Sequence, residues 1–192
     1  MRMSDSKGYS FILAVVLLVL IGCENPTSST ERVIGPAGGV VFYDKGDDSD
    51  GWRYLEAWLE DEDPGFFQYH VNNFVITEST LTSVGSGFEN TYTAMAADGH
   101  PAAAVVRNAT HGGFNDWFLP SKDELDLMYR NRNVIGGFSE NNTYWSSSKG
   151  SENLAWIQIF RNGVQMEGNR GSDYSVRAVR RFKDNENDNS YR

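Results

Sequence analysis

The chain has 192 residues, with 17 Lys plus Arg against 26 Asp plus Glu, a formal net charge of −9 and a single cysteine. That balance excludes general nucleic-acid binding, which needs a basic face, and one cysteine excludes a disulfide framework. Aromatic residues at 13% and 19 glycines suit a loop-rich domain with an aromatic core better than a helical bundle.

At the N-terminus, Arg2 and Lys7 precede Phe11 to Leu20, an unbroken apolar run, and then Leu20-Ile21-Gly22-Cys23. This is the layout of a secretory signal ending in a lipobox. Small Gly22 lets a peptidase reach the bond before Cys23, whose thiol is the nucleophile that takes the diacylglyceryl group. An ordinary cleaved signal with a chance cysteine is the plainer alternative; a membrane-spanning helix needs ~20 apolar residues and the run is too short. Met1–Gly22 is thus expected to be a lipoprotein signal peptide, with Cys23 the lipidation site. Its removal leaves 170 residues with 15 Lys plus Arg against 25 Asp plus Glu, a balance of −10. So acidic a chain is repelled by anionic headgroups, so acyl chains rather than surface charge would hold it to the membrane. Glu24, not aspartate, follows the cysteine, which favours the outer membrane of the bacterial envelope over retention at the inner one. Residues 23–32, polar with Pro and Ser/Thr, read as a flexible tether. The charged, Asn-rich stretch Lys183–Arg192 reads as a disordered tail. One domain is expected over Val33–Phe182.

Within it, Gly38 to Tyr43 reads as a strand, Asp44 to Gly51 as a turn, and Trp52 to Ala57 as the returning strand of a hairpin. Thr91 is positioned to cap a helix running to Asp98, where Gly99 interrupts it, and Pro101 suits the first turn of its continuation, Ala102 to Arg107. Ser121 and Glu124 form a capping box, followed by Leu125, Met128 and Tyr129 on one face of a helix ending near Asn131. Thr143 to Ser147 and Ala155 to Phe160 read as strands, and Asn162-Gly163 as the hairpin turn into Val164 to Met166. Tyr174 to Phe182 reads as an alternating closing strand. Strands, two helices, then strands again is an α+β order.

Several of these blocks resemble a known family. Asp116-Trp117-Phe118-Leu119-Pro120-Ser121-Lys122-Asp123-Glu124-Leu125 is similar to its signature. Tyr144-Trp145-Ser146-Ser147-Ser148, Ala155-Trp156 and Val176-Arg177-Ala178-Val179-Arg180 resemble its later blocks in order, and Gly38 to Tyr43 with Gly51 to Ala57 its opening. The family is the C-terminal domain of the Legionella collagen-like protein, found in bacterial surface proteins and lipoproteins. The resemblance implies a C-type-lectin-like fold, with mixed or antiparallel sheets, two flanking helices and first and last strands that meet. It also implies adhesion or carbohydrate binding in some members. Sulfated-polysaccharide binding is not carried over, because it needs cationic clusters. Here basic residues gather only around Arg170, Arg177, Arg180 and Arg181.

The resemblance places the chain near enzymes that generate formylglycine through cysteines, which the mature domain lacks. His70, His100 and His111 have no metal-ligand spacing, and Ser146 to Ser148 have no nucleophile-elbow context. No catalytic residue, cofactor or metal ligand is expected, and the chain reads as a non-enzyme. The acidic turn Asp44, Asp47, Asp48, Asp50 invites a calcium reading, but two anchors of an EF-hand loop are missing, which favours a solvated turn. Trp52, Trp117, Trp145 and Trp156 alternate with apolar neighbours and are assigned to the core. The ligand-binding candidates are loop residues: Asn141, Asn142, Asn153, Asn162, Asn169 and Arg170. Asn amides can bond vicinal sugar hydroxyls as donor and acceptor, although Asn and Gly are also what tight turns need. The expected role is recognition of a glycan or of an envelope or host protein; the alternative is a structural envelope lipoprotein without a soluble ligand.

Overall fold

The computed structural model describes residues 32–62, 66–70 and 80–184. The signal segment, Cys23, the tether up to Glu31 and the tail from Asn185 lie outside the described residues. Every strand pair of the named elements is antiparallel, and the order of strands and helices is α+β.

The apolar run after Gly39 forms β1 (Val40–Asp44), and β2 (Tyr54–Ala57) returns against it. The closing strand β8 (Val179–Phe182) pairs with the other edge of β2, so the sheet order is β1-β2-β8. The central strand carries Glu56, which is fully buried. Its carboxylate accepts the Gly39 N–H at 3.1 Å and the Ala37 N–H at 3.4 Å, and meets Arg180 Nη1 at 3.2 Å. A buried carboxylate left without these partners would be costly. Side chains at Gly35 or Gly39 would collide with it, so the glycines make its room.

A two-stranded sheet joins β3 (Phe67–Gln68) to β7 (Asp173–Tyr174). The third sheet is β4 (Thr143–Lys149), β5 (Leu154–Ile159) and β6 (Gln165–Asn169) in that order, turning at Gly163, whose φ is 78°. The main helices are α2 (Pro101–Asn108), with Pro at its start, and α3 (Lys122–Arg130). A single turn, α4 (Arg132–Ile135), follows α3 and ends at Gly136 with φ 74°. Both bonds of the expected capping box are present: Ser121 Oγ accepts from the Glu124 N–H, and the Glu124 carboxylate accepts from the Ser121 N–H. Leu125 and Met128 then face inward and are buried, each worth ~1.5–3 kcal/mol of transferred apolar surface.

Two aromatic clusters fill the interior. One gathers Tyr69, Trp117, Trp145, Ile157 and Val176 with the Ala102, Ala103 and Val106 face of α2. The other sets Val40, Leu55, Phe118, Tyr144, Phe160 and Val179 against Leu125 and Met128. Arg177 crosses between loops, fully buried. Its guanidinium holds Asp61 Oδ1 at 2.7 Å and donates to the carbonyls of Trp58, Gly136 and Gly137.

Three local expectations need correction. Thr91 caps nothing. The helical segment starts earlier, as α1 (Gly87–Glu89), and continues into a π-helical turn over Asn90–Ala94. The buried Thr91 hydroxyl instead donates to Gly87 O and accepts the Leu119 N–H, tying this turn to the signature segment. The segment 174–182 is not one alternating strand. Ser175 to Arg180 are all buried, because the chain leaves β7, bridges Tyr144 of β4 through Ser175 and then crosses to join β2. Trp156 is only half-buried, with Lys122 Nζ 4.7 Å above its ring, whereas Trp52, Trp117 and Trp145 are in the core as expected.

Candidate functional site

The six loop residues singled out from the sequence do not converge. The pairing of Thr143 with Ile159 and of Leu154 with Asn169 puts them at opposite ends of the β4-β5-β6 sheet. At one end, the Asn142 amide donates to Ser175 Oγ, Asn162 Oδ1 accepts the Val164 N–H inside the hairpin turn, and Asn141 is exposed. At the other, Asn169 Oδ1 accepts the Gly171 N–H, and Asn153 Oδ1 accepts from Arg170 Nη2 at 2.8 Å. Arg170 is 7% exposed, so it is not a surface residue at all. Its Nη1 and the Nδ1 of His100 have no hydrogen-bond partner in the structure. His100 lies against His70, ring centroids 4.9 Å apart, and burial pushes its pKa down to about 4. Ser146 to Ser148 are buried and bonded to backbone. No group of three or more His, Cys, Asp or Glu able to hold a metal occurs among the described residues.

A recess large enough for a small ligand lies elsewhere, beyond the end of β1. One wall is the β1–β2 turn. The Asp44 carboxylate accepts the Gly46 N–H and chelates Arg53, which lowers its pKa, and Asp47 accepts from Ser49. Asp44 and Asp47 therefore turn their carboxylates inward on their own hairpin. Lys45 folds back 4.9 Å above the Trp52 ring and reaches Asp50 Oδ2 at 3.0 Å. Partial burial disfavours its charge, but Asp50 and Asp47 outweigh that and hold its pKa above the ordinary lysine value.

The facing wall is the stretch from Leu81 to Glu89. Asn90 grips Leu81 on both sides, accepting from its N–H at 2.9 Å and donating to its carbonyl at 2.7 Å. Gly85, at φ 93°, presses on Trp52: a Cβ there would stand 2.8 Å from Cζ2, so the close approach needs glycine. Its N–H is taken by Glu124 Oε1 at 2.8 Å. The capping-box carboxylate therefore also pins this wall. Burial raises the Glu124 pKa to about 7 even against these backbone donors. The third side is Arg181 of β8, its guanidinium 3.9 Å over Phe88 and 3.6 Å from Glu89 Oε1. Together they enclose about 400 Å³, within the range of about 300–1,000 Å³ in which small ligands are held. A second cleft, beside Phe138 and Phe160, is about half that size, at about 190 Å³.

Sequence reasoning missed this recess. Trp52 was assigned to the core, which is right for its ring, but nothing in the pattern joins residues 43–52, 81–89 and 181. The acidic turn is the available signal, and its spacing reads as a solvated turn rather than as a cleft wall.

Fold and recess define an α+β module of small antiparallel sheets with one mixed-charge cleft. A family model described as the Lcl C-terminal domain matches residues 58–180. The chain belongs to that family. No curated protein matches it. The match begins at Trp58 and ends at Arg180, so the β1–β2 wall and Arg181 of the cleft lie outside it.

Proposed function

We propose that the chain is a lipid-anchored protein of the bacterial cell surface, and that its C-type-lectin-like domain recognises a glycan or protein ligand through the cleft between the β1–β2 turn and Leu81–Glu89. The observation that carries this is the placement of that cleft. The chain enters the domain beside the start of β1, where Ile34 bridges Val40 and the Val41 N–H meets Val33 O at 2.8 Å. The cleft opens past the far end of that strand, roughly 15 Å along it at ~3.3 Å per residue. A tether of about ten residues reaching at most ~35 Å to lipidated Cys23 would then hold the recognition face away from the membrane. Union of the opening hairpin with the last strand in one sheet, packed on α3 through Leu125 and Met128, supports the lectin-like reading. The outer membrane is the proposed site. Recognition without chemistry fits a cleft whose ionisable side chains are engaged in ion pairs.

The second reading, a structural envelope lipoprotein, draws on Val164 and Met166, exposed at 47% and 46% on or beside edge strand β6. Whole protein extracted in mild detergent, applied to a glycan array and to envelope extract, separates the two. Saccharide binding lost on Tyr43→Ala supports the cleft. A background array with one stoichiometric envelope partner that depends on Met166 refutes it. For the anchor, Cys23→Ala should leave an unprocessed, unlipidated precursor, and mass spectrometry showing a mature N-terminus other than acylated Cys23 would refute lipidation.

A further inference from the structure

We propose that the ligand of this cleft is an uncharged saccharide; the inference rests on the cleft being the recognition site. Two cations face the recess, and each already has a carboxylate of its own chain. Lys45 holds Asp50 at 3.0 Å and Asp47 at 3.6 Å, and Arg181 holds Glu89 at 3.6 Å. Asp50 and Glu89 are well exposed, with 74% and 63% of their side chains open to solvent. They can therefore turn oxygens to a ligand while remaining paired.

An anionic ligand would have to displace a carboxylate, exchanging one ion pair for another with little gain. It would also approach against the field of a chain whose mature balance is −10. A cationic ligand meets Lys45 and Arg181 in the same way. Vicinal hydroxyls match what is there: each can donate to a carboxylate oxygen and accept from the neighbouring ammonium or guanidinium, and charge-assisted bonds of this kind are the stronger class. The walls also offer apolar surface for the C–H face of a sugar. Tyr43 is half-buried, tilted against Trp52 at 6.3 Å, and Leu81 is 59% exposed. Trp52 itself is covered by Lys45 and Gly85, so stacking falls to Tyr43. Because Glu124 and Asn90 fix the facing wall, little ordering is left to be done on binding.

The test uses the whole protein in mild detergent and three probes: a neutral set (cellobiose, maltose and chitobiose), heparin oligosaccharide, and oligogalacturonate. A member of the neutral set should bind, with affinity changing less than about twofold between ~0.02 M and ~0.5 M salt, since no ion pair forms across the interface. Tyr43→Ala should weaken it by about tenfold or more. The double variant Asp50→Asn with Glu89→Gln, at exposed positions that leave the fold intact, should gain salt-sensitive heparin binding that the wild type lacks. Wild-type binding of heparin or oligogalacturonate that is lost on Lys45→Ala would overturn the uncharged class while keeping the cleft as the site. Neutral-saccharide binding unchanged in every cleft variant would overturn the cleft assignment itself. No binding of any probe would overturn the saccharide class, leaving the cleft itself to be decided by the envelope-extract arm.

Discussion

Replacing Glu124 by Gln probes the carboxylate on which both the α3 cap and the cleft wall depend. Its oxygens accept the Ser121 N–H at 2.6 Å and the Gly85 N–H at 2.8 Å in a site closed to water. Burial is the larger influence and raises the carboxyl from 4.5 to about 7. The folded protein then binds this proton more tightly than the unfolded chain does. The resulting stability is fully present below pH 4.5 and is lost as pH rises through 7. At about 1.4 kcal/mol per pH unit of displacement the total is ~3 kcal/mol, most of which falls between about pH 5 and pH 8. Glutamine has no proton to lose. Urea denaturation of both proteins across that window, followed by tryptophan fluorescence, should show their stability difference moving by ~2–3 kcal/mol in favour of the Gln variant as pH rises. Histidine titrations cancel in the difference. Parallel curves would refute the reasoning, and would mean that the backbone donors hold the carboxylate ionised despite its burial.

Trp117→Ala should lose ~3–5 kcal/mol in chemical denaturation, because the ring is fully buried and its Nε1 donates to Phe114 O at 3.1 Å. A variant as stable as wild type would make Trp117 a ligand platform instead. Ser121→Ala should lose ~1–2 kcal/mol, since the hydroxyl both caps Glu124 and donates to Ser83 O at 2.9 Å. Gly112→Ala should cost about 2 kcal/mol or more by thermal melting: its φ is 59° and a Cβ would be driven into the Ala37 carbonyl. Arg177→Met should cost ~3–5 kcal/mol, because Asp61 and three carbonyls lose their only shared cation. An unchanged melting temperature in either of the last two would contradict the packing described.

What could be read in advance was local. The capping box is a contact between Ser121 and Glu124, three positions apart, and the Asn162-Gly163 turn is set by two adjacent residues. Both were legible because residue type alone selects the geometry. Thr91 fails as a cap for the same reason: a threonine before the helix formers Ala94 to Ala97 suits a cap, but here its hydroxyl is claimed by Leu119, 28 residues away. The closing segment failed because period-2 alternation describes a strand with one wet face, whereas residues 175–180 are enclosed on all sides. The Asn-rich loops share a composition but sit at two ends of one sheet, and only strand register could show that. The cleft is the extreme case, since its three walls come from segments whose proximity is purely tertiary.

The burial of Arg177 and Arg180 has a consequence for how the chain acquires its structure. The first bonds Asp61 across 116 residues, and the second pairs with Glu56 across 124. Until these late residues arrive, Glu56 has no cation, β2 lacks one of its two neighbours, and the loops around Trp58 and Gly137 have no common donor. Closing such long loops carries an entropic charge that is repaid only at the end, so folding should be slow and nearly all-or-none. A nascent chain stopped before Ser175 would hold no stable sheet around β2. Under the lipid anchoring proposed above, that delay would be useful: the chain would stay unfolded, and export-competent, until its final strand had been made.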